Sequence, residues 1–250
     1  MNIIIAGCGK VGSTLAEQLS REGHDITVID QKTDVVRHMA DEADVRGVVG
    51  NGASYNIQKE AGIDEADLLI AVTNADEVNL LCCLIAKKAG GCKTIARVRN
   101  PVYHQEIGHI KGELGLSMVI NPEFAAASEI ARLLRFPSAI EINTFARGRI
   151  ELLRFRVEKS SPLAGRKLKD ISELTQCEAL VCIVERGGRV IIPDGEMELQ
   201  ANDTISIVAS PLNASRFFKL MGVQTNQVKN TMIIGGSKTA YYLARRLLAM

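Results

Sequence analysis

Gly7, Gly9 and Gly12 stand in the order G-x-G-x-x-G, and an acid, Asp30, closes an apolar run about 20 residues further on. This combination suits holding a nucleotide by its phosphates. The first glycine permits a tight turn, the second lets backbone approach a pyrophosphate, and the third lets the following helix pack closely on a sheet. Free N–H groups at that helix's start, aided by its dipole, attract phosphate charge. A carboxylate at Asp30 can accept hydrogen bonds from both ribose hydroxyls.

The surrounding elements must place those residues. Residues 2–6 are too short and apolar for anything but a strand buried on both faces. Leu15, Ala16 and Leu19 give the next helix its apolar stripe, and Thr27-Val28-Ile29-Asp30 ends a second strand. A helix over 33–41 and a strand over 45–49 lead to Gly50-Asn51-Gly52-Ala53-Ser54, a turn whose glycines, Gly52 among them, let backbone come close to a ligand. A helix over 54–61, a strand over 68–72 and a helix over 76–89 follow. Thr73 and Asn74 then fall either in the crevice outside the strands' carboxyl ends or at an ordinary helix cap, which Asp76 could equally supply. In the strand over 93–98, Arg97 and Arg99 share a face, as a solvated edge or as anchors for phosphate or carboxylate; Arg97 is the better ligand candidate. A sixth strand covers 118–121. The helix over 122–136 carries Phe124, Ala127, Ile130, Leu133 and Leu134, more apolar surface than a crossover helix requires, so a subunit contact is expected.

The pattern changes at Pro137. Strands over 153–157, 179–185, 190–192 and 204–209, with a hairpin turn at Gly187-Gly188 and helices over 168–174 and 211–221, describe a small α+β module. The fold class is therefore α/β: a Rossmann-like doubly wound parallel sheet followed by a small α+β module. A repeat comes last. IIGGSKTAYYLARRL aligns without gaps on IAGCGKVGSTLAEQL, placing Gly235 on Gly7, Lys238 on Lys10, Leu243 on Leu15, Ala244 on Ala16 and Leu247 on Leu19. One strand and one helix cannot bury a parallel sheet edge alone, so the native chain is expected to continue into a second copy.

Composition narrows the function classes. Thirty basic against twenty-nine acidic residues give a net charge of +1, which offers no field for nucleic acid, and none is expected as a partner. No apolar run reaches the roughly 20 residues that span a bilayer, and no signal-peptide layout opens the chain; a cytosolic protein, or one peripheral on the cytosolic side, is expected. Cys8, Cys82, Cys83, Cys92, Cys177 and Cys182 form no C-x-x-C pair and read as reduced core residues, with no metal site. His24, His38, His104 and His109 read as surface residues without a paired nucleophile or orienting acid. The competing class is an NAD-dependent dehydrogenase with a small substrate domain, which shares the cofactor turn but needs an acid–base group.

The motifs IIIAGCGKVG, VID, GNGAS, DLLIAVTNADEVN, IARVRNP, SPLAGRKLKDI, PDGEMELQANDTISIVAS and NTMIIGGSKTAYYLA together resemble the TrkA family, built from domains that regulate potassium conductance (RCK domains). The resemblance covers the whole chain and implies a Rossmann nucleotide-binding domain over 1–136, a regulatory C-terminal module over 137–222 and the truncated start of a second Rossmann repeat over 228–250. It implies a regulatory subunit, not an enzyme, binding NAD(H) or ATP/ADP. Its partner would be a Trk-type membrane potassium channel or transporter subunit, with the protein peripheral at the cytosolic face of the inner membrane and at least dimeric. By motif, the nucleotide contacts carried over are Gly7, Cys8, Gly9, Lys10, Val11, Asp30, Thr73, Asn74 and Arg97. The second turn departs from the pattern, with Ser237 and Ala240 where Gly9 and Gly12 stand. The nucleotide is therefore expected in the first repeat, with none at residues 235–240.

Overall fold

The computed structural model describes residues 1–135, 140–175, 177–220, 228 and 230–249. The predicted helix end at Phe136, the boundary at Pro137, and the ends at Met221 and Gly222 lie outside these residues. The chain forms two compact units, one of Met1–Ala126 with Gly236–Tyr242, the other of Ala127–Gly235 with Leu243–Met250.

In the first unit, β1 (Asn2–Ala6), β2 (Asp25–Asp30), β3 (Arg46–Val49), β4 (Leu68–Ala71), β5 (Lys93–Arg97) and β6 (Met118–Ile120) make a six-stranded sheet in the order β3-β2-β1-β4-β5-β6. Every pairing is parallel. β1 is central: Ile3 lies between Ile26 and Leu68, and Ile5 between Val28 and Ile70. Ile3, Ile4, Ile5 and Ala6 are all at most 3% exposed, which explains the unbroken apolar run. Alternate residues feed separate cores. Ile4, Ala6, Leu69 and Ala71 pack with Cys82, Cys83 and Ala86 of α4 (Asp76–Ala89), whereas Ile3, Ile5, Val28 and Ile70 pack with Ala16 of α1 (Lys10–Arg21) and Met39 of α2 (Thr33–Glu42). Strand order reverses between β1 and β4, so the switch-point crevice opens at their carboxyl ends.

α3 (Tyr55–Glu60) precedes β4, and α5 (Pro101–Ile110) lies between β5 and β6, where the sequence predicts no element. Asn100 caps α5 by accepting the Val102 N–H at 3.0 Å, with Pro101 in the first turn. His104, read as a surface residue, is half-buried on α5 with its ring 4.5 Å from that of Phe124. α6 (Pro122–Arg135) leaves Ile130 and Leu133 exposed, at 38% and 59%.

The second unit holds an antiparallel sheet in the order β10-β9-β11-β8-β7, from β7 (Glu141–Phe145), β8 (Ile150–Arg156), β9 (Ala179–Arg186), β10 (Arg189–Ile191) and β11 (Thr204–Ala209). β8 begins earlier than expected and β7 was not anticipated. Gly187 and Gly188 turn the β9–β10 hairpin with φ of 56° and 78°, backbone that glycine adopts without strain. α7 is Leu168–Thr175, and α8 (Pro211–Leu220) buries Phe217 and Phe218 against Phe155. Residues 231–235 form no strand, leaving Met232 and Ile234 87% and 93% exposed, and α9 follows at Lys238–Leu248.

α1 seats on the sheet at Gly12. A Cβ there would lie 1.8 Å from the Gly7 carbonyl oxygen, a backbone atom that cannot swing aside. Gly12→Ala should therefore destabilise the protein by about 1–3 kcal/mol, the usual cost of overpacking, seen as a lower Tm or urea midpoint. An unfolding midpoint equal to the parent's would show that α1 is not held this tightly.

Candidate functional site

A cavity of about 400 Å³ lies along the carboxyl ends of β1, β2 and β4 and the loop after β3. That volume is within the range of small-ligand sites. The chain gathers Gly7, Cys8 and Gly9 from the first turn, Asp30 from the end of β2, Gly52 from the loop after β3, and Thr73 and Asn74 from the end of β4.

Each glycine has its own reason. Gly7 has φ +103°, and a Cβ on it would lie 2.8 Å from the Thr73 nitrogen, so this turn excludes side chains for conformation and for space. At Gly9 a Cβ would meet no heavy atom within 4 Å. Packing does not require glycine there; close approach from outside does. At Gly52 a Cβ would come 2.9 Å from the Ala6 Cβ, so this glycine serves packing while its backbone lines the cavity.

α1 starts at Gly9 with no side-chain cap and no acid in its first turn. Its leading N–H groups, on Lys10, Val11 and Gly12, have no acceptor within the helix and are donors of the kind suited to phosphate. Lys10 and Val11 stand at this helix start without lining the cavity; Val11 packs into the core and Gly12 lies beneath the turn.

Asp30 spans the site. Its Oδ2 accepts the Cys8 N–H at 2.8 Å and its Oδ1 accepts the Lys32 N–H at 3.0 Å. Each oxygen retains a lone pair for a ribose hydroxyl. The same carboxylate, after burial, helps push the Cys8 thiol up to about 12, so this cysteine is a neutral packing group at physiological pH.

Thr73 is held from below: its N–H and its hydroxyl both donate to Asn79 Oδ1, at 2.8 and 2.7 Å, and the Asn79 amide donates to the Arg97 carbonyl at 2.9 Å. Thr73 also serves the start of α4, its Oγ1 accepting the Ala75 N–H at 3.4 Å, whereas Asp76 is not the cap. The cap position of α4 is Ala75, which makes no side-chain cap bond. Asp76 instead accepts the backbone N–H groups of Arg99 at 2.8 Å and Asn100 at 2.6 Å, and the Arg99 guanidinium donates to the Asn74 carbonyl.

Arg97 is not brought into the cavity. It pairs with Glu123 at 2.7 Å, with both side chains mostly buried. Sequence reasoning missed two fully buried amides, Asn79 and Gln58. Gln58 Nε2 donates to the carbonyls of Gly52 at 2.7 Å and Cys82 at 3.0 Å, fastening the glycine loop to α4. The signal for both was a polar side chain at an apolar helix position. Gln31, Lys32, Asn51 and Val78 also line the cavity.

The second glycine turn differs in its donors. Gly235 copies Gly7 with φ +106°, but the Ser237 hydroxyl accepts the Ala240 N–H at 3.2 Å, capping α9 where the first turn leaves its donors for a ligand.

The raised Cys8 pKa has a direct test. Iodoacetamide at pH 8 should leave Cys8 unmodified in the native protein and label it after denaturation, read by peptide mass spectrometry. Rapid native labelling at Cys8 would contradict the buried, neutral thiol.

The TrkA-N domain family matches residues 3–122 and the TrkA-C domain family residues 152–222. The chain is 35% identical over 252 aligned positions to the Trk system potassium uptake protein TrkA homolog 2 of Methanosarcina mazei, covering 98% of this chain and 55% of that protein. It is 33% identical over 251 positions to the Trk system potassium uptake protein TrkA of Vibrio alginolyticus, covering 99% and 55%. The chain thus spans about half the length of these curated relatives. A solved structure of the GsuK channel bound to NAD shares the fold at a TM-score of 0.64 and 18% identity, over 98% of this chain and 44% of that one. No helix among the described residues is long and apolar enough to cross a membrane. With a glycine turn and acid over a parallel sheet, then an antiparallel module, each in the segment its domain family matches, this chain belongs to the TrkA family.

Proposed function

We propose that the chain is the nucleotide-sensing part of a potassium-uptake regulator, binding NAD(H) or ATP/ADP in the first-unit cleft and passing that state to a Trk-type membrane channel or transporter subunit at the cytosolic face of the membrane. The observation that carries this reading is the cleft itself: a side-chain-free turn at Gly7 and Gly9, an uncapped helix start and a ribose-competent carboxylate at Asp30 converge on one cavity. The names of the curated relatives and the NAD-bound channel of the same fold support it. Backbone donors of the turn and of α1 would hold the phosphates, Asp30 the ribose hydroxyls, and Thr73 and Asn74 the rim. A bound nucleotide would supply charge and a differential affinity between two states, which is all that a regulator requires.

The cleft is built for binding more than for turnover. Its titratable side chains are Cys8, Asp30 and Lys32; Cys8 is held neutral and both Asp30 oxygens already accept backbone N–H groups. General acid–base catalysis needs a group aimed at substrate with a pKa near the working pH. His104 lies on α5, where burial lowers its pKa, and does not line the cavity.

Isothermal titration calorimetry with NAD⁺, NADH, ATP and ADP should show saturable binding, and no NADH oxidation at enzyme-like rates should follow with simple carbonyl substrates. Asp30→Ala should weaken NADH and ADP alike by about 10- to 100-fold, the value of one to two charge-assisted hydrogen bonds. NADPH should bind more weakly than NADH, since its 2′-phosphate would face that carboxylate. Equal affinities in parent and variant would remove the ribose role from Asp30.

The exposed Ile130 and Leu133 on α6 support self-association. Light scattering should give at least a dimer mass, and Leu133→Asp should lower it; a concentration-independent monomer would end this part of the proposal.

A further inference from the structure

A sheet of order 3-2-1-4-5-6 has two mononucleotide halves, and a dinucleotide lies across both at the strands' carboxyl ends. In this chain the two halves differ. Over β1, β2 and β4 lies the 400 Å³ cavity. Over β5 and β6 lies the first part of α9, which belongs to the same compact unit.

Tyr242 makes that contact. It is 5% exposed, its hydroxyl donates to the Arg99 carbonyl at 3.0 Å, and it accepts from the Asn121 amide at 2.9 Å. Arg99 follows the end of β5 and Asn121 directly follows β6, so the phenol bridges the carboxyl ends of the two strands that form the second half. The ring meets Phe124 edge-on, with centroids 5.4 Å apart, and His104 at 5.8 Å. Beside it Arg97 and Glu123 pair at 2.7 Å, with both side chains mostly buried. The layer connects to the open half through Arg99, whose guanidinium reaches the Asn74 carbonyl on the rim while its own carbonyl receives Tyr242.

We propose that Tyr242 is a specificity-determining plug, which fills the second half of the dinucleotide crevice so that the chain with α9 docked takes adenine mononucleotides such as ADP and admits a dinucleotide only when Tyr242 withdraws. This rests on the nucleotide reading of the cleft. NADH binding and α9 docking are then mutually exclusive, whereas ADP binding and α9 docking are independent. The plug lowers apparent dinucleotide affinity by the fraction of molecules in which it is withdrawn.

Calorimetry of the whole chain with ADP and NADH tests this in the parent, Tyr242→Ala and Tyr242→Phe. If the plug is withdrawn in about a tenth of molecules, Tyr242→Ala should raise NADH affinity about tenfold and leave ADP affinity within about twofold; Tyr242→Phe, which keeps the ring, should give a smaller rise. Hydrogen exchange on the parent is independent of any variant's folding. NADH should raise amide exchange across residues 238–242, and ADP should not. NADH bound with exchange there unchanged, or an unaltered NADH-to-ADP affinity ratio in folded Tyr242→Ala, would overturn the plug. Failure of both ADP and NADH to bind the parent would instead overturn the nucleotide reading of the cleft.

Discussion

The backbone of Gly7 is confined from two sides, and the arrangement of the first unit follows from that. On one side a Cβ would strike the Thr73 nitrogen at the end of β4; on the other, the Gly7 carbonyl oxygen sits where a Cβ on Gly12 would be. At these points β1, β4 and α1 therefore come together through main chain. Side chains at these points would push α1 off the sheet and separate the two strands that define the switch point. Glycine in this setting carries an entropic cost, offset by the burial of Ile3, Ile4 and Ile5 beside it, each of which contributes roughly 1.5–3 kcal/mol. Asp30 then fixes the turn laterally through the Cys8 N–H.

Most of the first sheet could be read from the sequence because its signals are local. β1 is a continuous apolar run, β2 ends in the apolar pair Val28-Ile29 before its acid, and α4 has both the ends that the sequence predicts. What escaped reading had weak or distant signals. α5 buries only Ile107, so no apolar stripe announces it, although Asn100-Pro101 is the same kind of pair as the Asn121-Pro122 that opens α6. β7 buries only Ile142 at a sheet edge, too little to produce visible alternation. Arg97 was correctly placed near a strand's carboxyl end, but its partner Glu123 lies on another element 26 residues later, and nothing local reveals an ion pair of that range. Asn79 and Gln58 were hidden for the opposite reason: each is polar inside an apolar helix face, and only the fold shows that the amides hold loops in place.

A site made mainly of backbone has a consequence for discrimination. N–H donors on a glycine turn and a helix start bind any diphosphate of suitable reach, so they give affinity with little selectivity. Selectivity has to come from side chains at the margins. On one margin, in the proposed reading, Asp30 would offer a carboxylate to ribose and oppose an added phosphate. On the other, the crevice ends where Tyr242 bridges Arg99 and Asn121. The first residue ends β2 and holds the turn through the Cys8 N–H; the second, in the plug proposed above, withdraws. A fixed margin and a movable one would then give a binding site two different dependences on its ligand, one set by chemistry and one by conformation. Only the movable margin can report occupancy to another part of the chain, because a ligand shifts an equilibrium by no more than its differential affinity for the two states. For this fold the transmitting element is therefore expected among residues that cover the sheet's second half, and α9 is the element found there.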